Sequence, residues 1–395
     1  MTTCGKSSMT SLGLTLGVVA IGIEALVIAP LLGDIAGTFK VSTAQAAWAV
    51  SVYGLALAVT APCVAILGAR ASRKKTMTAG LLLFILSGLA CALAPGFWSL
   101  LFARALCGAA AGAFLPACYA YVGDTTAYAG RGRVMGRVMA GWSLALILGI
   151  PLGSWMADLW GWRSTFVAVA ALGAVAAWQV AGLPASRGRE SSATGLTDLL
   201  PGVLRNGIPM LLAITFFDVM SFYGIYTFLG VVVRERLGIG SGWFGLLVGC
   251  YGAGLLASTL NAALLDRFGK ERVLVICLSG LALVLLSLSQ AVGHPVLLGG
   301  CMVVWGVLQG LVQTGTATLI TRAADDSTRG LAMAAMSCVS YLAVGLASAA
   351  GGWLVAAFGF TALAAAGALC VALAACLLAR YRTLQATAMR AAVAP

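Results

Sequence analysis

Twelve long apolar runs, none holding more than one Asp, Glu, Lys, Arg or His, leave this chain little choice of fold. They lie near residues 11–33, 44–67, 76–94, 99–122, 135–157, 164–183, 208–232, 243–265, 273–292, 296–320, 331–356 and 361–379. Each is close to the ~20 residues a helix needs to cross a bilayer core. A membrane β-barrel would need alternating apolar and polar residues instead. Within lipid every backbone amide must be satisfied inside its own segment, so the runs are read as helices. Of 395 residues, 61% are apolar and 9% charged, where a soluble domain carries roughly 25% charged residues. A disordered chain, a disulfide-stapled secreted domain and an ordinary soluble enzyme are thereby excluded. The expected fold class is an all-α membrane protein with twelve transmembrane helices.

The formal net charge of +12 first suggests nucleic acid. The placement of the charges argues for topology instead. Nineteen of the 24 Lys and Arg residues fall at the N-terminus, between spans on that side, or after the last span. Lys40, Arg163, Arg234 and Arg236 fall on the other side, and Arg104 lies within the fourth span. An excess of Lys and Arg in cytoplasmic loops orients membrane proteins. The expectation is a multi-pass protein of the cell inner membrane with both termini cytoplasmic and no nucleic-acid partner. The first span is too long, and too well followed by others, to be a cleaved signal peptide.

The eleven cysteines sit mostly inside spans and show no CxxC spacing. They read as small apolar packing residues, with no metal site or cofactor expected. The one histidine, His294, falls in a Gly-His-Pro turn. No P-loop, HExxH or GxSxG motif is present. Neither ATP-driven transport nor an enzyme is expected.

The longest polar break, 185–206, follows six spans and precedes six. Residues 1–184 and 207–395 therefore read as two six-helix bundles joined by a cytoplasmic linker. The halves look like repeats. Residues 52–57, VYGLAL, match CYGAGL at 250–255, a shift of 198. Residues 104–112, RALCGAAAG, align with WGVLQGLVQ at 305–313, a shift of 201. Parallel repeats with a midplane site between them are a known transporter plan.

Several motifs add to this. Gly149, Pro151 and Gly153 lie together in span five. The proline removes a backbone hydrogen bond and makes a bendable point where helices touch, a conformational role. With IEALVIAPLLGDIAGTF (23–39), RALCGAAAG, LGIPLGSW (148–155), WGWRSTF (160–166) and LLDRFGKER (264–272), the chain resembles the major facilitator superfamily. More narrowly, it resembles the twelve-span drug:proton antiporters and related sugar and metabolite exporters. The resemblance implies two pseudo-symmetric bundles whose spans one, four, seven and ten line a central cavity. In the first half the loop motif has Ala69 where the family usually has Asp. That puts the family's cytoplasmic lock in doubt there. In the second half Asp266, next to Arg267, is expected to serve, with Arg131 or Arg133 as partner.

Three charges lie deep within spans, away from their ends: Glu24 in span one, Arg104 in span four and Asp218 in span seven. A charge at the bilayer centre costs roughly 2.5–3.5 kcal/mol or more, so each needs a cavity or a partner. Taking a carboxylate out of water favours its neutral form. A nearby cation, such as a substrate or Arg104, drives the proton off again. Proton and substrate then compete for one site. Glu24 ranks first because the resemblance places an acid there, and Asp218 second. Substrate-binding candidates are Tyr223, Tyr226, Gln309, Gln313 and Asn261. Gln309 and Gln313 are four apart and share a helix face. The expected function is proton-coupled efflux of small organic molecules such as drugs by a monomer in the bilayer. The alternatives are a narrow-specificity transporter of a sugar, nucleoside, amino acid or siderophore, and a non-transporting membrane sensor. The short polar ends of the sequence argue against the sensor.

Overall fold

Each apolar run becomes a helix in the computed structural model, which describes residues 3–67, 72–126, 128–184, 204, 206–261, 263–325 and 328–393. The linker expected at 185–206 falls outside the described residues apart from Leu204 and Asn206. Among the described residues there is no strand. Nine helical segments besides the first and last are long and apolar enough to cross a membrane. They are Thr43–Val64, Arg73–Ala92, Phe97–Thr125, Gly130–Trp160, Trp162–Ala181, Ile208–Leu237, Ser241–Leu260, Lys270–Ala291 and Pro295–Ala323. They form spans two to ten. Span one is a bent pair, Thr3–Leu26 followed by Ile28–Phe39. The last helix, Arg329–Val393, is too long for one crossing and breaks at Gly359, where φ is 78°. That conformation suits a residue without Cβ. The break divides the segment into spans eleven and twelve.

Proline interrupts the regular helix in spans one and five. Span one turns by 49° between Leu26 and Ile28. Pro30 has no N–H to offer the Leu26 carbonyl four residues back, and its ring crowds that carbonyl. In span five, Ala145–Gly149 forms a π turn, in which the Ile150 N–H reaches back to the Ala145 carbonyl. Pro151 follows directly. It cannot donate to Ile147, and the wider turn absorbs the mismatch.

The face where span six ends and span seven begins is the near face, and the other is the far face. In the first half, span four packs on spans two and three, and span six on spans one and three. In the second, span ten packs on spans eight and nine, and span seven meets spans eleven and twelve. Among the described residues the halves meet mainly through span one with seven, two with eleven and five with eight.

Glycines set how closely helices approach, and they fix the repeat register. A Cβ on Gly108 would strike the Tyr53 carbonyl, and one on Gly306 would strike the Tyr251 carbonyl. Gly112 rests against Thr60 and Leu57, and Gly310 against Ser258 and Leu255. Every partner in these two sets is shifted by 198 residues. The shift of 201 read from the span-four and span-ten motifs is therefore corrected by three. Arg104 corresponds to the buried Met302, so the second half has no cation at that point. Gly108→Ala or Gly306→Ala should cost about 1–3 kcal/mol by overpacking, seen as a lower melting temperature in detergent. Gly123→Ala, with nothing within 4 Å, should leave it unchanged or raise it.

Candidate functional site

The two intramembrane acids each meet a partner on a neighbouring span. Glu24 lies two residues before the bend of span one. Its Oε1 accepts from Nη1 of Arg104 on span four, and both side chains are fully buried. The same Nη1 lies 3.4 Å from the Glu24 carbonyl, and Arg104 Nε donates to the Ala49 carbonyl of span two at 3.1 Å. The guanidinium stacks 4.6 Å from the centroid of the Tyr53 ring. A buried charge pair holds only when its remaining polar positions are also satisfied. Here they are not. Glu24 Oε2, Arg104 Nη2, Ser51 Oγ and Tyr53 Oη have no hydrogen-bond partner among the described residues. The site is a neutral pair with unused donors and acceptors on both members.

Asp218 of span seven is also buried, and its Oδ2 accepts from Gln309 Nε2 of span ten at 2.7 Å. Asp218 Oδ1 and Gln309 Oε1 are left without partners among the described residues. The second half thus also pairs an acid on its first helix with a donor on its fourth, but not at repeat-related positions, since a shift of 198 carries Glu24 to Phe222 and Arg104 to Met302. Around it Phe222, Tyr226, Tyr251 and Trp305 form a closed aromatic cluster, with ring centroids 5.2–5.6 Å apart in the contacts made.

Several tyrosines lie in the region of the two acids. Tyr251 is within electrostatic reach of Asp218 and of Tyr223. Tyr223 and Tyr341 are within reach of Tyr53, which carries Arg104. Tyr341 also reaches Tyr119, whose hydroxyl accepts from Trp142 Nε1 at 3.2 Å. Spans two, four, seven, eight and eleven thereby contribute phenols to one region between the halves. Of these, only Tyr223 was singled out from sequence. The 198-residue match of Tyr53 to Tyr251 was the signal available for two of the others.

The remaining candidates scatter. Tyr226 is buried and donates its hydroxyl to the Leu26 carbonyl at 3.0 Å, joining the halves directly. Gln313 is exposed, one turn from Gln309 toward the near face. Asn261 is not brought to the site. It is exposed at the near end of span eight and its amide donates to the Ala257 carbonyl at 2.9 Å. Gly149 packs on Ile23 of span one and Gly153 on Thr165 of span six, while Pro151 lies against Gly245 and Gly249 of span eight. Span five thus touches span one beside Glu24 and the other half at once.

The partner expected for Asp266 is corrected. Its carboxylate pairs at 2.6 Å with Lys270, four residues on at the start of span nine, rather than with Arg131 or Arg133. Arg131 Nη2 lies 3.4 Å from the Thr126 carbonyl, Arg133 is exposed, and Arg267 stacks on Phe268. A partner four residues away in sequence is always within reach, whereas one on the other half is reached only when the near ends approach. Ala69 lies outside the described residues.

The far face carries a lock that sequence reading did not single out. Asp34 and Arg234 form a two-pronged pair at 2.9 Å on each prong, and Arg234 also donates to the Pro30 carbonyl. Asp158, at the end of span five, accepts from the Ser241 and Gly242 N–H groups at 2.9 and 2.8 Å and from the Ser241 hydroxyl. A carboxylate of one half thus caps the N-terminus of span eight in the other. Unsatisfied N–H groups and the helix dipole favour an anion there. These contacts close the far face.

The Major Facilitator Superfamily model matches residues 14–244 and 211–392. The chain belongs to this superfamily. It is a membrane transporter and not an enzyme. It is 36% identical to YwfA of Bacillus subtilis, an uncharacterized MFS-type transporter, over 92% of this chain and 89% of that one. A chloramphenicol resistance protein of Streptomyces lividans is 29% identical over 87% of each. A chloramphenicol efflux pump of Mycobacterium tuberculosis is 29% identical over 76% of this chain and 74% of that one. Among solved structures, an inward-facing bacterial homolog of the human lysosomal transporter Spinster gives a TM-score of 0.69 at 15% identity, covering 95% of both chains. The human organic anion transporter MFSD10 gives 0.73 at 16%, covering 94% of this chain and 99% of that one.

The lock of this superfamily member makes a direct prediction. Hydrogen bonds to charged groups contribute about 1.5–3 kcal/mol. Asp158→Ala should therefore speed hydrogen exchange at the Ser241 and Gly242 amides by roughly tenfold or more. Unchanged exchange would mean that Asp158 does not hold this face.

Proposed function

We propose that the chain exports small organic molecules, drugs among them, in exchange for protons. The observation that carries this reading is the buried Glu24–Arg104 pair with its unused atoms. Protonating Glu24 removes the negative member and leaves Arg104 to find another acceptor. A substrate that offers a hydrogen-bond donor or a positive charge to the Glu24 carboxylate competes with the proton for it, which makes binding and protonation mutually exclusive. That exclusion is the minimum requirement for exchange. Asp218 with Gln309 is a second acid in the same region, and the tyrosines between them suit amphipathic ligands with an aromatic part. The chloramphenicol efflux relatives support this class of substrate.

The two units that rock are residues 1–184 and 207–395, joined by 185–206, and the protein acts as a monomer. The distribution of Lys and Arg supports a cytoplasmic near face and cytoplasmic termini in the cell inner membrane. With the far face closed, the conformation is read as inward-facing, ready to take substrate from the cytoplasm. The membrane potential contributes about 2.3 kcal/mol per charge per 100 mV to any net charge moved.

Everted vesicles loaded by an imposed pH gradient test this reading. A panel of drugs including chloramphenicol should show accumulation that collapses with the gradient. Glu24→Gln should abolish gradient-driven uptake while inserting at wild-type levels, and Asp218→Asn should slow it without abolishing it. Normal gradient-driven uptake by Glu24→Gln would remove Glu24 from the mechanism. Uptake of one metabolite alone would point to the narrow-specificity alternative.

A further inference from the structure

Span seven presents a single stripe, Tyr226, Gly230 and Arg234, to the broken stretch of span one. Each member answers a defect that the break creates. Pro30 leaves the Leu26 carbonyl without its helical donor, and the Tyr226 hydroxyl takes that place at 3.0 Å. An orphaned carbonyl in a dry interior costs free energy comparable to a lost hydrogen bond. The Ala29 carbonyl lies 2.7 Å from where a Cβ on Gly230 would sit, so only glycine lets the helices close there. Arg234 donates to the Pro30 carbonyl at 3.0 Å while holding Asp34. On its other side the same stretch carries Glu24, held by Arg104 of span four. The bend therefore sits between a donor from its own half and two donors from the other.

We infer that Tyr226 is a positioning residue, a latch that recognises the bent form of span one and ties that bend to closure of the far face. The hydroxyl matches a carbonyl that is free only because residue 30 is proline and the helix is broken. If span one straightens, or span seven withdraws, the bond is lost together with the Arg234 contacts one and two turns further along. The aromatic ring stays in its cluster with Phe222, so the hydroxyl alone discriminates between the two forms. This assignment needs only the two halves to move relative to each other and does not rest on proton coupling.

A double-mutant cycle read by hydrogen exchange tests the latch. Tyr226→Phe keeps the ring and removes the hydroxyl. It should speed exchange about five- to tenfold at residues 31–34 and also at Ser241 and Gly242, which Tyr226 does not touch. Pro30→Ala restores an N–H to the Leu26 carbonyl and should by itself speed exchange at Ser241 and Gly242. Tyr226→Phe made in the Pro30→Ala background should then change exchange by less than twofold. Equal effects of Tyr226→Phe in both backgrounds, or no effect at Ser241 and Gly242, would overturn the latch. Melting temperatures near wild type establish that the variants compared are folded. A Tyr226→Phe chain that fails this check passes the test to Pro30→Ala alone, whose unchanged exchange at Ser241 and Gly242 would also overturn the latch.

Discussion

Glu24 and Arg104 are both fully buried, and neither charge is tolerable there without the other. Removing one partner of a buried pair costs about 3–5 kcal/mol, because the survivor is left charged and dry. Protonation is a milder form of the same event, since it neutralises the acid and leaves the guanidinium. The pair is therefore sensitive to any proton or ligand that reaches it. Its surroundings amplify that sensitivity, because one oxygen of the acid and one nitrogen of the base have no partner among the described residues. A fully satisfied pair would be inert scaffolding.

The bend of span one lies between the pair and the far face. Glu24 precedes the bend, and Asp34, which closes the far face, follows it by two turns of helix. Between them the proline-freed carbonyl and its neighbours are held by the opposite half. Span five offers a parallel route. Its Gly149 rests on Ile23 beside Glu24, its proline on span eight, and its terminal Asp158 on the N-terminus of span eight. Both routes run from the acid to the far face along helices broken by proline, which are the natural points of bending. The closed far face is thus mechanically continuous with the acid.

The fold was legible in the sequence because lipid allows few solutions. Apolar runs of the right length must be helices, and even the long last helical segment divides at Gly359 as its length requires. The intramembrane acids were legible for the same reason, since a charge in such a run needs a partner. Which partner was not legible, because it depends on helix rotation. Gln309 and Gln313 stood out together as amides on one helix face, but the pairing of Gln309 with Asp218, and the exposure of Gln313, needed coordinates. Tyr226 was read as a pocket residue, and its partner is a backbone carbonyl 200 positions away that no pattern announces. Glycine-rich spacing left span ten three residues out of register, because several small residues repeat at similar intervals. Asp34, Asp158 and Arg234 sit at span ends, where charges are ordinary, so nothing in the sequence separated a lock from a solvated loop.

The central claim is that one carboxylate, Glu24, is shared between a proton and a substrate. Proton release from purified protein in weakly buffered detergent tests it most directly. A pH-sensitive dye would record the response as amphiphilic drugs are added one at a time, with binding followed in parallel. Drugs that bind should release protons from the wild type and none from Glu24→Gln. Saturable binding with no proton release, or equal release from both proteins, would contradict the claim.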